Sequence, residues 1–172
     1  MTVISFYNDV DGKTFYSDCA KRLKENCERL GLKYAIEPRD YGENWIDNER
    51  AKPTFIREMM SKLEDDLLWI DVDCVIKRVP DIDLNRRYRW GIRFRSDGTP
   101  HDYVHFINNS SFNAMFITSW INEIERCGKG SHTAFVNLFD MLDAFELQDD
   151  YELVEADIPS KTAYLDSAFK KD

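Results

Sequence analysis

The sequence predicts an α/β domain built on a mostly parallel sheet flanked by helices, and three observations carry that prediction. Residues 1–76 alternate strand, helix, strand, helix, strand, which implies parallel strands joined by crossover helices. The apolar run Leu67-Leu68-Trp69-Ile70 is too short for an independent helix and suits a buried strand. That run ends in two acids, Asp71 and Asp73. On an extended backbone, residues i and i+2 project to one face, so both carboxylates can converge on a hard cation or a cation-bound diphosphate. The carboxyl end of a central strand is also where open α/β sheets bind ligands. The alternative is a strand followed by a solvated acidic turn.

Taken in order, Val3–Tyr7 reads as a first buried strand, leading through Asn8-Asp9 to a turn at Asp11-Gly12. A helix follows over 13–30, with Phe15, Cys19, Leu23, Cys27 and Leu30 at three- and four-residue spacing and Gly31 closing it. Residues 34–37 form a short strand stopped by Pro38. Residues 42–50 are polar and read as a loop anchored by Trp45 and Ile46, and a second helix runs from Pro53, a good first-turn residue, to Leu63. Beyond Pro80 the pattern changes. Tyr88, Trp90, Ile92 and Phe94 alternate with Arg87, Arg89, Arg93 and Arg95, as in a half-buried strand with an arginine face. Residues 96–100 form a turn, 101–113 strand and loop, and 114–127 a helix or a strand then a helix. Gly128-Lys129-Gly130 breaks the pattern, and Ser131 then caps a helix reaching about Phe145 that buries Phe135, Leu138, Phe139 and Leu142. Residues 151–154 make a last strand, and the tail from Lys161 is mostly polar.

The chain has 172 residues, which suits one domain over 1–172 with a sizeable core. Hydrophobic residues make up 43% and aromatics 13%, which excludes a disordered chain. A net charge of −9 argues against non-specific polyanion binding as the main activity. The N-terminus lacks the pattern of a signal peptide, and no apolar segment reaches membrane-spanning length. Cys19, Cys27, Cys74 and Cys127 form no C-x-x-C pair, which makes structural zinc unexpected and fits a reduced, cytoplasmic setting.

Five arginines and no acid lie between Arg86 and Arg95. A concentrated cationic face suggests a localised anionic partner, because arginine pairs bidentately with phosphate, although pairing with the chain's own acids explains it equally. His101 and His105 are four apart, but Pro100 and the strand-like surroundings argue against a helical ligand pair. A surface or acceptor-loop role suits them better, and His132 reads as a surface residue near a helix start.

Lys52-Pro53-Thr54-Phe55-Ile56 followed by Leu68-Trp69-Ile70-Asp71-Val72-Asp73-Cys74-Val75-Ile76 resembles the K-P-x-h-h … h-h-W-h-D-h-D-h-h-h pattern of small nucleotide-sugar-dependent glycosyltransferases of the GT-A (Rossmann-like) fold, over roughly residues 1–145. The resemblance implies a Mn2+ or Mg2+ ion bridging the donor diphosphate, with Asp73 as direct ligand and Asp71 contacting the ribose or a metal-bound water. It implies that Tyr7, Asn8 and Asp9 hold the base, by stacking and by reading its edge, and that Arg50 and Lys52 approach the ribose or diphosphate. It implies a hydroxyl acceptor, which the arginine face would make polyanionic, as in a hydroxylated base in nucleic acid or a phosphorylated glycan. Arg87, Arg89, Arg93, Arg95, Asn109 and His132 would border it. Where related sequences carry Asp-Gln opening the helix after the middle strand, this chain has Ser131-His132-Thr133, so the acid that would serve as base or acceptor ligand is not at its usual position.

Two other readings share the same core. Ile70-Asp71-Val72-Asp73-Cys74-Val75 also resembles the h-D-x-D-x-[TV] motif of haloacid-dehalogenase-type phosphatases, with Asp71 as nucleophile, Asp73 as acid/base, and Thr118, Lys129 and Asp149-Asp150 as counterparts of the later motifs. The third reading is a catalytically degenerate nucleotide-binding domain.

Overall fold

The computed structural model describes residues 1–10, 12–82 and 90–147, together with the backbone of 151–153. Arg87 and Arg89, Asp149-Asp150 and the tail from Lys161 lie outside the described residues. Among the described residues, eight strands and four α-helices follow in the order β1 (Thr2–Tyr7), α1 (Phe15–Leu30), β2 (Lys33–Pro38), α2 (Trp45–Lys62), β3 (Leu67–Ile70), β4 (Cys74–Ile76), β5 (Trp90–Phe94), β6 (Pro100–Ile107), α3 (Ser111–Cys127), α4 (Ser131–Leu138), β7 (Ala144–Glu146) and β8 (Tyr151–Leu153), with a 3-10 turn at Phe139–Met141. The main sheet runs β2-β1-β3-β6-β5-β7, and β4 pairs with β8 in a small second sheet. β1 is parallel to both β2 and β3, β6 is antiparallel to β3 and β5, and β7 returns parallel to β5. Three of these five pairings are parallel, so the mixed α/β sheet is mostly parallel, as the sequence predicts.

β3 sits inside this sheet, and its four side chains are at most 2% exposed. Alternation sends Leu67 and Trp69 to one face and Leu68 and Ile70 to the other. The first face packs on Phe55, Ile56 and Met59 of α2 and on Phe116, Trp120 and Phe135 of α3 and α4. The second packs on Cys19, Leu23 and Cys27 of α1. An apolar run without polar alternation is what such double burial requires, and each side chain contributes roughly 2 kcal/mol. α1 ends as its sequence indicates: Gly31 takes φ +67°, and the amides of Gly31 and Leu32 donate to the carbonyls of Glu28 and Cys27.

Three expectations are corrected. Residues 45–50 are not loop but the first turns of α2, with Asn44 as its N-cap accepting from the Asp47 amide at 3.1 Å. Pro53 lies inside that helix, where it removes only the amide that the Glu49 carbonyl would have bound. The helix from Ser131 stops at Leu138, and Ala144–Glu146 is instead the edge strand β7, so Phe145 packs on the α1 face of the sheet. Asp71 to Cys74 is not extended: the Cys74 amide donates to the Asp71 carbonyl at 2.9 Å, closing a tight turn between β3 and β4. Among the described residues, no helix is long and apolar enough to cross a membrane. All four cysteines are free, and Cys19, Cys27 and Cys74 are buried packing residues.

His105 is fully buried, which overturns its reading as a surface or acceptor-loop residue. It lies among Trp90, Trp120 and Phe135, with ring centroids 5.6, 5.6 and 4.9 Å away. Trp90 Nε1 donates to His105 Nδ1 at 3.0 Å, and an indole nitrogen can only donate, so Nδ1 is the acceptor. Nε2 therefore carries the proton and donates to the Asp102 carbonyl at 3.1 Å. Burial, with Lys52 adding to it, pushes the imidazolium pKa from 6.5 down to about 3. A depressed histidine contributes stability that is complete above pH 6.5 and is lost as pH falls toward 3. We expect unfolding free energy to fall by roughly 1.4 kcal/mol per pH unit across that window on this account. His105→Gln should flatten this limb in urea titrations at successive pH values.

Candidate functional site

The chain passes from β1 to β2 on one side and returns to β3 on the other, so the sheet switches direction between β1 and β3. At the carboxyl ends of those strands lies a cavity of about 660 Å³. Tyr7 and Asn8 reach it from the end of β1, and Asp71 and Asp73 from the turn after β3. β6 runs antiparallel to β3 and brings Asp102 to the same edge, the Asp71 amide donating to the Tyr103 carbonyl at 2.8 Å. α2 adds Trp45, Asn48, Glu49 and Lys52, and α4 adds His132 and Thr133 at its first turn.

Lys52 is the centre of this arrangement, with a side chain 5% exposed. Its ammonium lies 2.9 Å from Asp71 Oδ1 and 3.2 Å from Asp102 Oδ2, and it donates to the Asp102 carbonyl at 2.8 Å. Trp69 Nε1 donates to the same Asp71 oxygen at 2.8 Å, and the ammonium sits 5.7 Å from the Trp69 ring centroid. Burial works against the lysine's charge, but Asp102, Asp71 and Glu49 together hold it protonated well above its ordinary range. Burial also opposes the charge on Asp102, yet Lys52 and His132 outweigh it and keep that carboxyl below the usual range. The same lysine does less for Asp71, whose carboxyl is pushed up to about 7, first by burial and then by Asp102 and Asp73. Lys52 thus favours the charged form of Asp102 more than that of Asp71, whose charge Asp102 and Asp73 oppose.

Glu49, one turn before Lys52, receives the Ser131 amide at 2.6 Å and the His132 amide at 2.9 Å. This carboxylate from α2 satisfies the open N-terminus of α4, where neither Gly130 nor Ser131 provides a side-chain cap. Burial and the nearby Asp102 raise its pKa. His132 is 30% exposed, and its Nδ1 lies 3.5 Å from Asp102 Oδ1.

Of the residues the sequence singles out, Tyr7, Asn8, Lys52, Asp71, Asp73, Arg95 and His132 all line the cavity. Asp9 borders an adjoining depression with Arg39 and Asp40, and its Oδ1 accepts the Ser17 amide at 2.9 Å. Arg50 is not there: it points to the end of α3 and donates to the Lys129 and Gly128 carbonyls. Asn109 is at the opposite end of β3, tying the Met60 and Leu63 carbonyls to the following loop, so it cannot border an acceptor here. Arg93 donates to the Leu147 carbonyl at 2.9 Å, where a bulge interrupts the β5 alternation, and only Arg95 of the described arginine face reaches the cavity. Thr118 bonds the Ala114 carbonyl on α3, and neither it nor Lys129 lines the cavity, which removes the later-motif counterparts of the phosphatase reading among the described residues. Sequence reasoning missed Glu49 and Asp102. The Asn44-x-x-Asp47 capping pattern would have revealed the helix that aligns Glu49 with Lys52.

No protein-family model matches the chain, and no curated protein matches it by sequence. Solved structures do match in fold. A glycosyltransferase involved in glycosylating the major capsid of PBCV-1 has a TM-score of 0.66 at 14% identity, over 84% of this chain and 79% of that one. The apo-form glycosyltransferase GlyE of Streptococcus pneumoniae TIGR4 has a TM-score of 0.58 at 14% identity, over 84% of this chain and 44% of that one. The galactosyltransferase LgtC, in complex with donor and acceptor sugar analogs, has a TM-score of 0.52 at 14% identity, over 81% and 70%. The fold is GT-A-like. This chain thus spans less than half of the GlyE chain and about three quarters of the other two.

Removing the lysine leaves the buried carboxylates of Asp71, Asp102 and Glu49 without their cation. Lys52→Met should cost about 3–5 kcal/mol of unfolding free energy at neutral pH, as expected when one partner of a buried pair is lost. Urea denaturation measures it, and a cost near zero would show that the carboxylates are solvated without their cation.

Proposed function

We propose that the protein is a D-x-D glycosyltransferase, dependent on Mn2+ or Mg2+, that moves a sugar from a nucleoside-diphosphate donor to a hydroxyl acceptor. The observation that carries this reading is the acidic turn Asp71–Asp73, which opens into the cavity at the β1/β3 switch point of a glycosyltransferase-like fold. Among the described residues, no group of three or more acids, histidines or cysteines forms a closed cage for a metal. Two neighbouring carboxylates whose charges oppose each other nevertheless fit an ion that takes its remaining ligands from water and substrate phosphates. Bound between Asp71, Asp73 and the diphosphate, the ion would neutralise the leaving nucleotide.

The chain's own residues divide the remaining work. Tyr7 and Asn8 receive the base. The Asn8 amide donates to the Gly42 carbonyl at 2.8 Å and to Asn48 Oδ1 at 3.3 Å, which leaves its oxygen to accept from a base edge. Asp9, beside them, extends this region. Lys52 orients Asp71 and does not reach for the diphosphate, because its proton donors are already directed to Asp71 and Asp102. The acceptor enters beside His132, and an acceptor bearing an anionic group would meet Arg95 at the rim. With its four free thiols, the protein suits the cytoplasm.

Calorimetric titration of UDP and GDP, with and without Mn2+, tests the donor site. We expect Mn2+ to tighten binding of one of them at least tenfold and Asp73→Asn to abolish that gain without lowering the melting temperature. Equal affinity with and without metal would sink the D-x-D reading. Metal-dependent binding without slow donor hydrolysis would point to the degenerate binding domain.

A further inference from the structure

One pair in the cavity is left unused by donor binding. His132 Nδ1 is buried and faces Asp102 Oδ1 at 3.5 Å, although the histidine side chain is 30% exposed and lines the cavity. The nitrogen left for the cavity is Nε2. Asp102 is itself held by Lys52, and the His132 backbone is held by Glu49 through the His132 amide at 2.9 Å. The residue is thus held by α2 through its main chain, and its ring stands beside Asp102 of β6 with no hydrogen bond made at Nδ1. The charged groups around it are Asp102 and His101 on β6, Lys52 and Glu49 on α2, and Arg95 at the end of β5.

We propose that His132 is the general base that takes the proton of the acceptor hydroxyl, with Asp102 as its positioning residue. This inference rests on the glycosyltransferase reading of the same cavity. As the acceptor oxygen bonds to the anomeric carbon of the donor, its proton passes to Nε2 of His132. The bond from that carbon to the diphosphate oxygen breaks, and its electron pair leaves with the nucleoside diphosphate. The imidazolium that forms is met by Asp102 through Nδ1 and later returns its proton to water. No oxidant or further co-reactant is needed.

The step also fixes a stereochemical outcome. A single displacement, in which the acceptor oxygen bonds to the anomeric carbon as the diphosphate oxygen leaves, inverts that carbon. The base and the diphosphate-binding turn are linked through Asp102 and Lys52.

The experiment uses UDP-glucose, UDP-galactose, UDP-N-acetylglucosamine and GDP-mannose with Mn2+, and water as the acceptor. For the donor that the unmutated protein hydrolyses fastest, His132→Gln should lower kcat by about 100-fold or more. KM, nucleotide affinity and melting temperature should change little. His132→Ala should regain turnover with added imidazole, which keeps the test decisive if the Gln variant is unstable. NMR of the first product should show the inverted anomer. Unchanged kcat in His132→Gln would overturn the inference, as would failure of imidazole to rescue His132→Ala, a retained anomer, or a loss of kcat matched by an equal loss of nucleotide affinity. If UDP and GDP bind but the unmutated protein hydrolyses none of the four donors, the glycosyltransferase reading itself fails, and the general base falls with it.

Discussion

The buried ammonium of Lys52 is the constraint on which the rest of the site depends. Taking an ammonium out of water costs several kcal/mol unless carboxylates and carbonyls surround it. Lys52 is enclosed because Phe55, Ile56 and Met59, which follow it on α2, are committed to the core. Packing the helix thus drives the lysine into the sheet edge, and its charge in turn dictates what must stand there. Asp71 from β3 and Asp102 from β6 satisfy it directly, and Glu49 lies one turn earlier on the same helix. The positions of these carboxylates are consequences of core packing. That is why a polar cavity can be held rigid at the edge of an apolar sheet.

The acidic pair reaches the cavity by a route other than the one its spacing suggests. An extended D-x-D would put both carboxylates on one face of the strand and Val72 on the other. Here the backbone turns at Asp71, Val72 is buried on the α1 side, and Cys74 begins a new strand in the second sheet. Leaving the main sheet at this point is what opens space beyond β3 for a ligand. The turn also places Asp73, which is 8% exposed, in the cavity wall. Both acids thus line one cavity, through a turn and not through an extended strand.

Legibility followed how much of each feature's cause lies in its own segment. β1, α1, β2 and β3 were readable because periodicity, Gly31 and Pro38 act locally. The start of α2 was not, since Trp45, Asn48, Glu49 and Lys52 face a cavity, and a polar inward face erases the amphipathic signal of a helix. The length of α4 was overestimated because Leu142 and Phe145 continue an apolar pattern whose partner, β5, is distant in sequence. For the same reason, nothing in the spacing of His101 and His105 indicates that His105 lies in an aromatic cage completed by Trp90, Trp120 and Phe135. Among the described residues, the arginine alternation forms strand over Trp90–Phe94. A bulge after Ile92 and the arrival of β7 then set the fate of Arg93, and neither is encoded within that strand.

The replacement of an acid by Ser131-His132-Thr133 at the start of α4 looks like a loss in one dimension. In space the carboxylates come from elsewhere: Glu49 holds the first amides of α4, and Asp102 faces the His132 ring. Both belong to the set that surrounds Lys52, so this end of the site is built from the same charges that bury the lysine. A histidine beside an ionised, well-anchored aspartate can accept a proton and have the resulting charge compensated, as a lone surface histidine cannot. What a segment lacks in sequence is therefore weak evidence about chemistry when three elements converge on it. Glu49 and Asp102 lie 83 and 30 positions upstream of His132, and the fold brings them within 3.5 Å of it.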